Sequence, residues 1–170
     1  MSSGRLDPLL RVAFRAVGLL PERVRVVLTG IRTPAYRLGA SCVIVDDAGR
    51  WLLVRHTYRR GWSLPGGGSA RGESPADTAR REMREELGIE IEVGPSAAVV
   101  DPHIHRLTFA FVARIVSGEP EVRSPELERF AWFDPDHLPS DADRWLRLAS
   151  GVAHRLVDGE QVPVVVAPKD

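Results

Sequence analysis

Three glutamates, Glu82, Glu85 and Glu86, are spaced i, i+3 and i+4. At about 100° per residue on a helix, that spacing puts them in one sector. Like charges at i,i+4 weaken an isolated helix by a few tenths of a kcal/mol. A hard divalent cation turns the repulsion into attraction, because Mg²⁺ and Mn²⁺ take oxygen ligands. The bland alternative is a solvated acidic face. Register argues against it: Gly66-Gly67-Gly68 precedes the glutamates, Glu73 and Arg81 stand between, and Gly88 follows. A glycine run lets backbone come close to a metal or a phosphate. A cation held there could act on a phosphate group or on water. Divalent cations neutralise phosphate oxygens and acidify bound water, and a nearby carboxylate takes the water proton.

A helix must carry these groups. Ser74 is a good N-cap, Pro75 suits the first helical position, and Asp77 stands three residues after the cap. Gly88 is a natural stop. Ala76, Ala79, Met83 and Leu87 fall on a separate apolar stripe that needs a sheet to pack on. Ahead of the glycines, Arg55, Arg59 and Arg60 make a cationic approach. It reads equally as a phosphate-facing patch or a solvated loop. Tyr58 and Trp62 could stack on a base, although Trp62 reads as well as an internal packing residue.

The stretch from Gly67 to Ile89 resembles the Nudix box, G-x5-E-x7-R-E-U-x-E-E-x-G-U with U a bulky aliphatic residue. Here it reads Gly67, Glu73, Arg81-Glu82-Met83-Arg84-Glu85-Glu86-Leu87-Gly88-Ile89. Every specified position matches, with Met83 as the bulky apolar residue. The resemblance implies an α/β/α sandwich around a mixed β-sheet, with the box helix on one side and the final helix on the other. It implies that Glu82, Glu85 and Glu86 hold Mg²⁺ or Mn²⁺, with the Gly67 carbonyl as a further ligand. Glu82 then doubles as the base, and Glu73 and Arg81 form a supporting ion pair. Gly66, Gly68, Arg55, Arg59 and Arg60 are the expected substrate contacts. Glu126 or Glu128 is the candidate for an extra acid outside the box. The implied activity is hydrolysis of a pyrophosphate in a nucleoside diphosphate linked to another group: a nucleotide sugar, ADP-ribose or a (d)NTP. The alternative is a nucleotide-binding module that has lost catalysis, although such modules usually lose box carboxylates.

Composition bounds the rest. With 23 basic and 23 acidic residues the formal charge is zero, so an extended nucleic-acid surface is not indicated. Cys42 is the only cysteine, which excludes an intramolecular disulfide and reads as a small core residue. No run approaches the roughly 18 to 20 apolar residues of a membrane span. Arg11 and Arg15 break the N-terminal apolar segment, so a signal peptide is not expected and a cytoplasmic location is.

In chain order, residues 1–35 are expected to be a helical extension and 36–170 the hydrolase domain. Residues 1–6 read as a tail, 7–19 as a helix capped by Asp7, and 21–28 as a second helix. This basic, amphipathic pair reads as extra helices on the core, with a homodimer interface or an anionic membrane surface as alternatives. Residues 40–45 and 51–54 read as strands of a hairpin turning at Asp46-Asp47-Ala48-Gly49. Further strands are expected at 89–93, 97–100, 106–116 and 126–133. A short helical turn at 134–139, a final helix at 140–157 and an edge strand at 161–166 follow. His103 and His105 are given no metal role.

Overall fold

The computed structural model describes residues 12, 15–30, 35–162 and 164–167. By internal contacts the chain divides into two units, Met1–Ala35 and Tyr36–Asp170. In the first, helix α1 (Glu22–Gly30) follows Pro21, whose carbonyl accepts from the Val24 and Arg25 N–H groups. Residues 15–18 are helical. The cap at Asp7 and most of the first expected helix lie outside the described residues.

Among its described residues the second unit holds eight strands: β1 (Arg37–Ile44), β2 (Trp51–His56), β3 (Trp62–Ser63), β4 (Gly66–Gly68), β5 (Glu90–Asp101), β6 (Arg106–Ser117), β7 (Leu127–Phe133) and β8 (Val164–Val166). Helix α2 (Pro75–Leu87) stands between β4 and β5, and helix α3 (Arg144–Val157) between β7 and β8. Five strands form a mixed sheet in the order β4-β1-β6-β5-β8, and three form an antiparallel sheet in the order β3-β2-β7. The expected hairpin is corrected here. Asp46 to Gly49 does turn, with the Gly49 N–H on the Asp46 carbonyl at 2.9 Å. Yet β1 and β2 share only a bridge at Val45–Trp51 before entering different sheets. Both strands are buried on two faces, so neither carries the polar side that a solvated hairpin would show.

Alternation along these strands sorts the core. Cys42 and Ile44 of β1, with Leu52 and Val54 of β2, point to α2 and meet Ala79, Met83 and Leu87. Val43, Trp51 and Leu53 point to α3 and meet Leu146, Ala149 and Ala153. Each helix therefore covers one side of the strands, which gives the α/β/α sandwich. Cys42 is a buried core residue.

Three further boundaries differ from expectation. β5 runs unbroken in sequence, its irregularity between Val93 and Ser96 absorbing Gly94-Pro95. Residues 134–137 form one hydrogen-bonded turn, His137 N–H to the Asp134 carbonyl at 3.0 Å, rather than a helical segment. α3 starts only after Asp143, whose carboxylate accepts from Leu146 N–H at 2.6 Å.

α2 is closed at both ends as its sequence suggests. Ser74 Oγ accepts from Asp77 N–H at 3.1 Å, and Gly88 adopts a left-handed φ of 68° with its N–H on the Arg84 carbonyl. Met83 has no solvent exposure. Truncating it as Met83→Ala is expected to cost about 2–5 kcal/mol, and Ser74→Ala about 1 kcal/mol. Urea unfolding measures both, and a Met83→Ala cost no larger than that of the cap would contradict the packing described.

Candidate active site

β4 lies antiparallel to β1, with Gly66 opposite Ser41 and Gly67 opposite Ala40. One of its positions requires glycine, and at a second a carboxylate closes on the backbone. Gly66 has φ 140°, and a Cβ there would stand 2.2 Å from the Ala40 carbonyl oxygen. A Cβ on Gly67 would stand 2.3 Å from a Glu82 carboxylate oxygen. The glycine strand is thus pressed against α2, and the box carboxylates meet backbone directly.

Glu86 lies on the inward side of α2 and is 5% exposed. Its Oε2 accepts from Gly66 N–H at 3.0 Å. Burial, reinforced by the Glu82 and Glu126 carboxylates, pushes its pKa up to about 8 against the pull of Gly66 N–H and Arg59. Burial also raises Glu82, against the Arg81 guanidinium.

Arg81 ties the region together. Its Nε donates to Glu73 Oε1 at 2.8 Å, and one terminal nitrogen to Glu73 Oε2 at 3.0 Å and the Gly68 carbonyl at 2.9 Å. The other donates to Glu82 Oε1 at 2.9 Å and Glu85 Oε2 at 3.0 Å. All five N–H donors of the guanidinium find an acceptor. The fork on Glu73 holds that carboxyl down to about 2, helped by the Ala70 N–H.

One cleft of about 520 Å³ gathers Glu82, Glu85, Glu86 and Glu126 with Gly66, Gly67, Gly68, Arg81, Arg59, Arg106 and Tyr58. Several expected contacts are placed elsewhere. Arg55 faces Glu128 at 3.4 Å and Asp141 at 3.3 Å, and neither Arg55, Arg60 nor Glu128 lines this cleft. A slip in the pairing of β2 with β7 explains the split between the two acids. Arg55 pairs with Arg129 and His56 with Leu127, which leaves Glu128 out of register. Thr57 N–H then binds the Glu126 carbonyl at 2.8 Å, at the cleft end of the ladder. Trp62 is 8% exposed and packs edge-on to Phe133, so it is a packing residue, whereas Tyr58 is 61% exposed. Arg106 went unsuspected because it opens an alternating apolar strand; the sequence signal was a charged residue two before Thr108, which is fully buried.

The donor set is all oxygen, and two of its carboxylates are buried enough to be driven toward the neutral form. Such a group of like charges suits a hard divalent cation. The repulsion within the group is partly relieved by the protein itself, since Arg81 holds Glu82 and Glu85. Among the described residues no three acidic, histidine or cysteine side chains already converge on one point.

Glu73 yields a signed pH dependence. Its folded pKa lies below the ordinary 4.5. The stability it contributes is complete above that value and is lost as pH falls toward about 2. The stability gap between wild type and Glu73→Gln is expected to be level near neutrality and to close below pH 4.5. Urea titrations at stepped pH read this directly; a gap that widens in acid would exclude the fork.

Comparison with known proteins places this geometry. The NUDIX domain family model matches residues 35–152. A MutT-like protein of Streptomyces ambofaciens is 32% identical over 126 residues, covering 74% of this chain and 77% of that protein. The crystal structure of a MutT NUDIX hydrolase from Burkholderia pseudomallei is 31% identical with a TM-score of 0.57, covering 69% of this chain and 98% of that one. A UDP-X diphosphatase crystal structure, 21% identical, shares the fold with a TM-score of 0.67 over 95% of this chain and 89% of its own. With a complete box on a capped helix, a glycine strand pressed against its carboxylates and these relatives, the chain belongs to the Nudix hydrolase family.

Proposed function

We propose that the protein hydrolyses a pyrophosphate bond in a nucleoside diphosphate linked to another group, with Mg²⁺ or Mn²⁺ as cofactor. The observation that carries this reading is the single cleft joining four glutamates to the backbone of Gly66 to Gly68. Glu82, Glu85 and Glu86, with the Gly67 carbonyl, are the groups suited to hold the cation. When bound, the cation would neutralise phosphoryl oxygens and acidify water.

The chain's own groups divide the remaining work. Glu82, pressed against Gly67, is suited to take the proton of the attacking water. Glu126 lines the cleft and is favoured over Glu128 as the acid from outside the box. Arg81 and Glu73 fix the Gly68 carbonyl and the helix face in one geometry, a supporting role of the kind that tunes metal ligands. Arg59 faces the same cleft and offers positive charge to phosphate. Tyr58, exposed beside it, offers a ring to a base.

Glu86→Gln and Glu82→Gln are expected to lower turnover by roughly two orders of magnitude or more while leaving the circular dichroism spectrum unchanged. EDTA should abolish activity, and Mg²⁺ or Mn²⁺ should restore it. The assay is chromatographic separation of the nucleotide products over (d)NTPs, nucleotide sugars, ADP-ribose and diadenosine polyphosphates. Gln variants as fast as wild type would refute the assignment. Nucleotide binding with no hydrolysis anywhere in the panel would point to the non-catalytic module instead.

A further inference from the structure

The strongest unassigned feature is a run of arginines without counter-ions. Arg106 of β6 is the register partner of Arg37 of the parallel strand β1. Like charges placed side by side across a ladder destabilise a sheet. Arg106 is also half-buried, and both burial and the nearby Arg59 charge oppose its positive form. Among the described residues, none of Arg37, Arg59 and Arg106 has a carboxylate within ion-pair distance. Arg106 is oriented rather than neutralised: Nε donates to Thr108 Oγ1 at 3.0 Å, and the guanidinium lies 5.8 Å from the Trp145 ring centre. Asp143 acts on it only at longer range, with its own Oδ1 taken by Leu146 N–H.

Arg59 is supported in the same way. A terminal nitrogen stands 3.1 Å from His56 Nε2 and 3.1 Å from the Tyr58 hydroxyl. His56 is 3% exposed, and its other ring nitrogen has no partner. Burial and the Arg59 charge hold the imidazole neutral at physiological pH, so Nε2 accepts the arginine's hydrogen bond. Two neutral supports therefore aim two cations into the carboxylate cleft.

The cleft also continues. A second cavity of about 580 Å³, lined by Arg37, Leu38 and Ile104, shares Gly68 and Arg106 with the first. Arg106 stands at the junction, with Arg59 on the glutamate side and Arg37 on the far side. Arg81 cannot serve a ligand there without surrendering an acceptor, because its five donors are used.

Resting on the hydrolase reading above, we propose that Arg106, flanked by Arg59 and Arg37, holds the phosphates that lie beyond the scissile pyrophosphate. The substrate class is then a nucleoside carrying three or more phosphates in line. A nucleoside diphosphate ending in a neutral sugar brings no charge to this run. It would leave half-buried cations unpaired, which is costly.

The test compares ATP with ADP-ribose in the presence of Mg²⁺, using wild type, Arg106→Gln, Arg59→Gln and Arg37→Gln. Binding of inorganic tripolyphosphate and of pyrophosphate is measured alongside by calorimetry without metal. Wild type is expected to prefer ATP in kcat/KM and to bind tripolyphosphate more tightly than pyrophosphate. Arg106→Gln should lose about 10- to 100-fold on ATP, mainly through KM, as expected for one charge-assisted contact. It should lose less than about threefold on ADP-ribose, and its tripolyphosphate affinity should fall with the ATP value. Equal losses on both nucleotides, or a wild-type preference for ADP-ribose, would overturn the proposal while leaving the hydrolase intact. No turnover of ATP or ADP-ribose would overturn this proposal alone, whereas no turnover anywhere in the wider substrate panel would overturn the hydrolase reading with it. If Arg106→Gln fails to fold, Arg37→Gln decides, because Arg37 is exposed at the start of β1 and lines the second cavity rather than the glutamate cleft.

Discussion

Everything in the cleft depends on the Arg81 guanidinium. It is the one group that touches the glycine strand, the loop acid Glu73 and two of the box carboxylates together. Partly exposed ion pairs are worth little singly, and the strength here comes from geometry. A planar fork binds Glu73 with two parallel hydrogen bonds, and its remaining donors cannot turn without losing them. A lysine at this position would keep the charge and could satisfy three acceptors at most. The loop and the helix are consequently one rigid piece. The Gly67 backbone is held so close to Glu82 that a side chain there would have to displace the carboxylate.

That rigidity sets what burial can do to Glu86. A carboxylate on a mobile loop would turn outward and hydrate. Glu86 instead sits on a helix whose Met83 and Leu87 are fully buried, so the backbone cannot rotate it into water without opening the core. Gly66 N–H supplies one hydrogen bond, which is less than an ionised carboxylate needs in a dry place. The core on this side of the sandwich therefore maintains the desolvation that pushes the Glu86 carboxyl up, a stress that the cation of the proposed function would relieve.

Much of this was legible in the sequence because it is local. The cap at Ser74, the stop at Gly88 and the stripe from Ala76 to Leu87 follow from spacing on one helix, and the structure shows each of them. The strands β6 and β7 follow from alternation, and β1 and β2 from short apolar runs. What escaped was set by partners distant in sequence. Nothing around Asp46 to Gly49 says that β1 will pair with β6 and β2 with β7, so a local hairpin was the natural reading. The split between Glu126 and Glu128 comes from a one-residue slip in a pairing between strands some 70 residues apart. Arg81 stands one helical turn before Glu85, so spacing alone already makes them neighbours; its ties to Glu73 and the Gly68 carbonyl depend on how the loop folds back on the helix.

The same reasoning explains why the basic segment before the glycines divides as it does. Arg55, Arg59 and Arg60 look equivalent in sequence, yet only Arg59 lines the cleft. Arg55 is still in β2, where the ladder directs it toward Glu128 and Asp141. Arg59 is past the strand, within reach of His56 on the last rung. A buried histidine that stays neutral is an unusual support for an arginine, since a carboxylate would bind it more strongly. A carboxylate would also cancel the charge. The neutral imidazole fixes the guanidinium and leaves its field intact in a cleft already rich in glutamates. Opposite charges are thus kept apart within one cavity, Arg59 by its neutral support and Glu86 by burial. An anion carrying its own cation can then satisfy both.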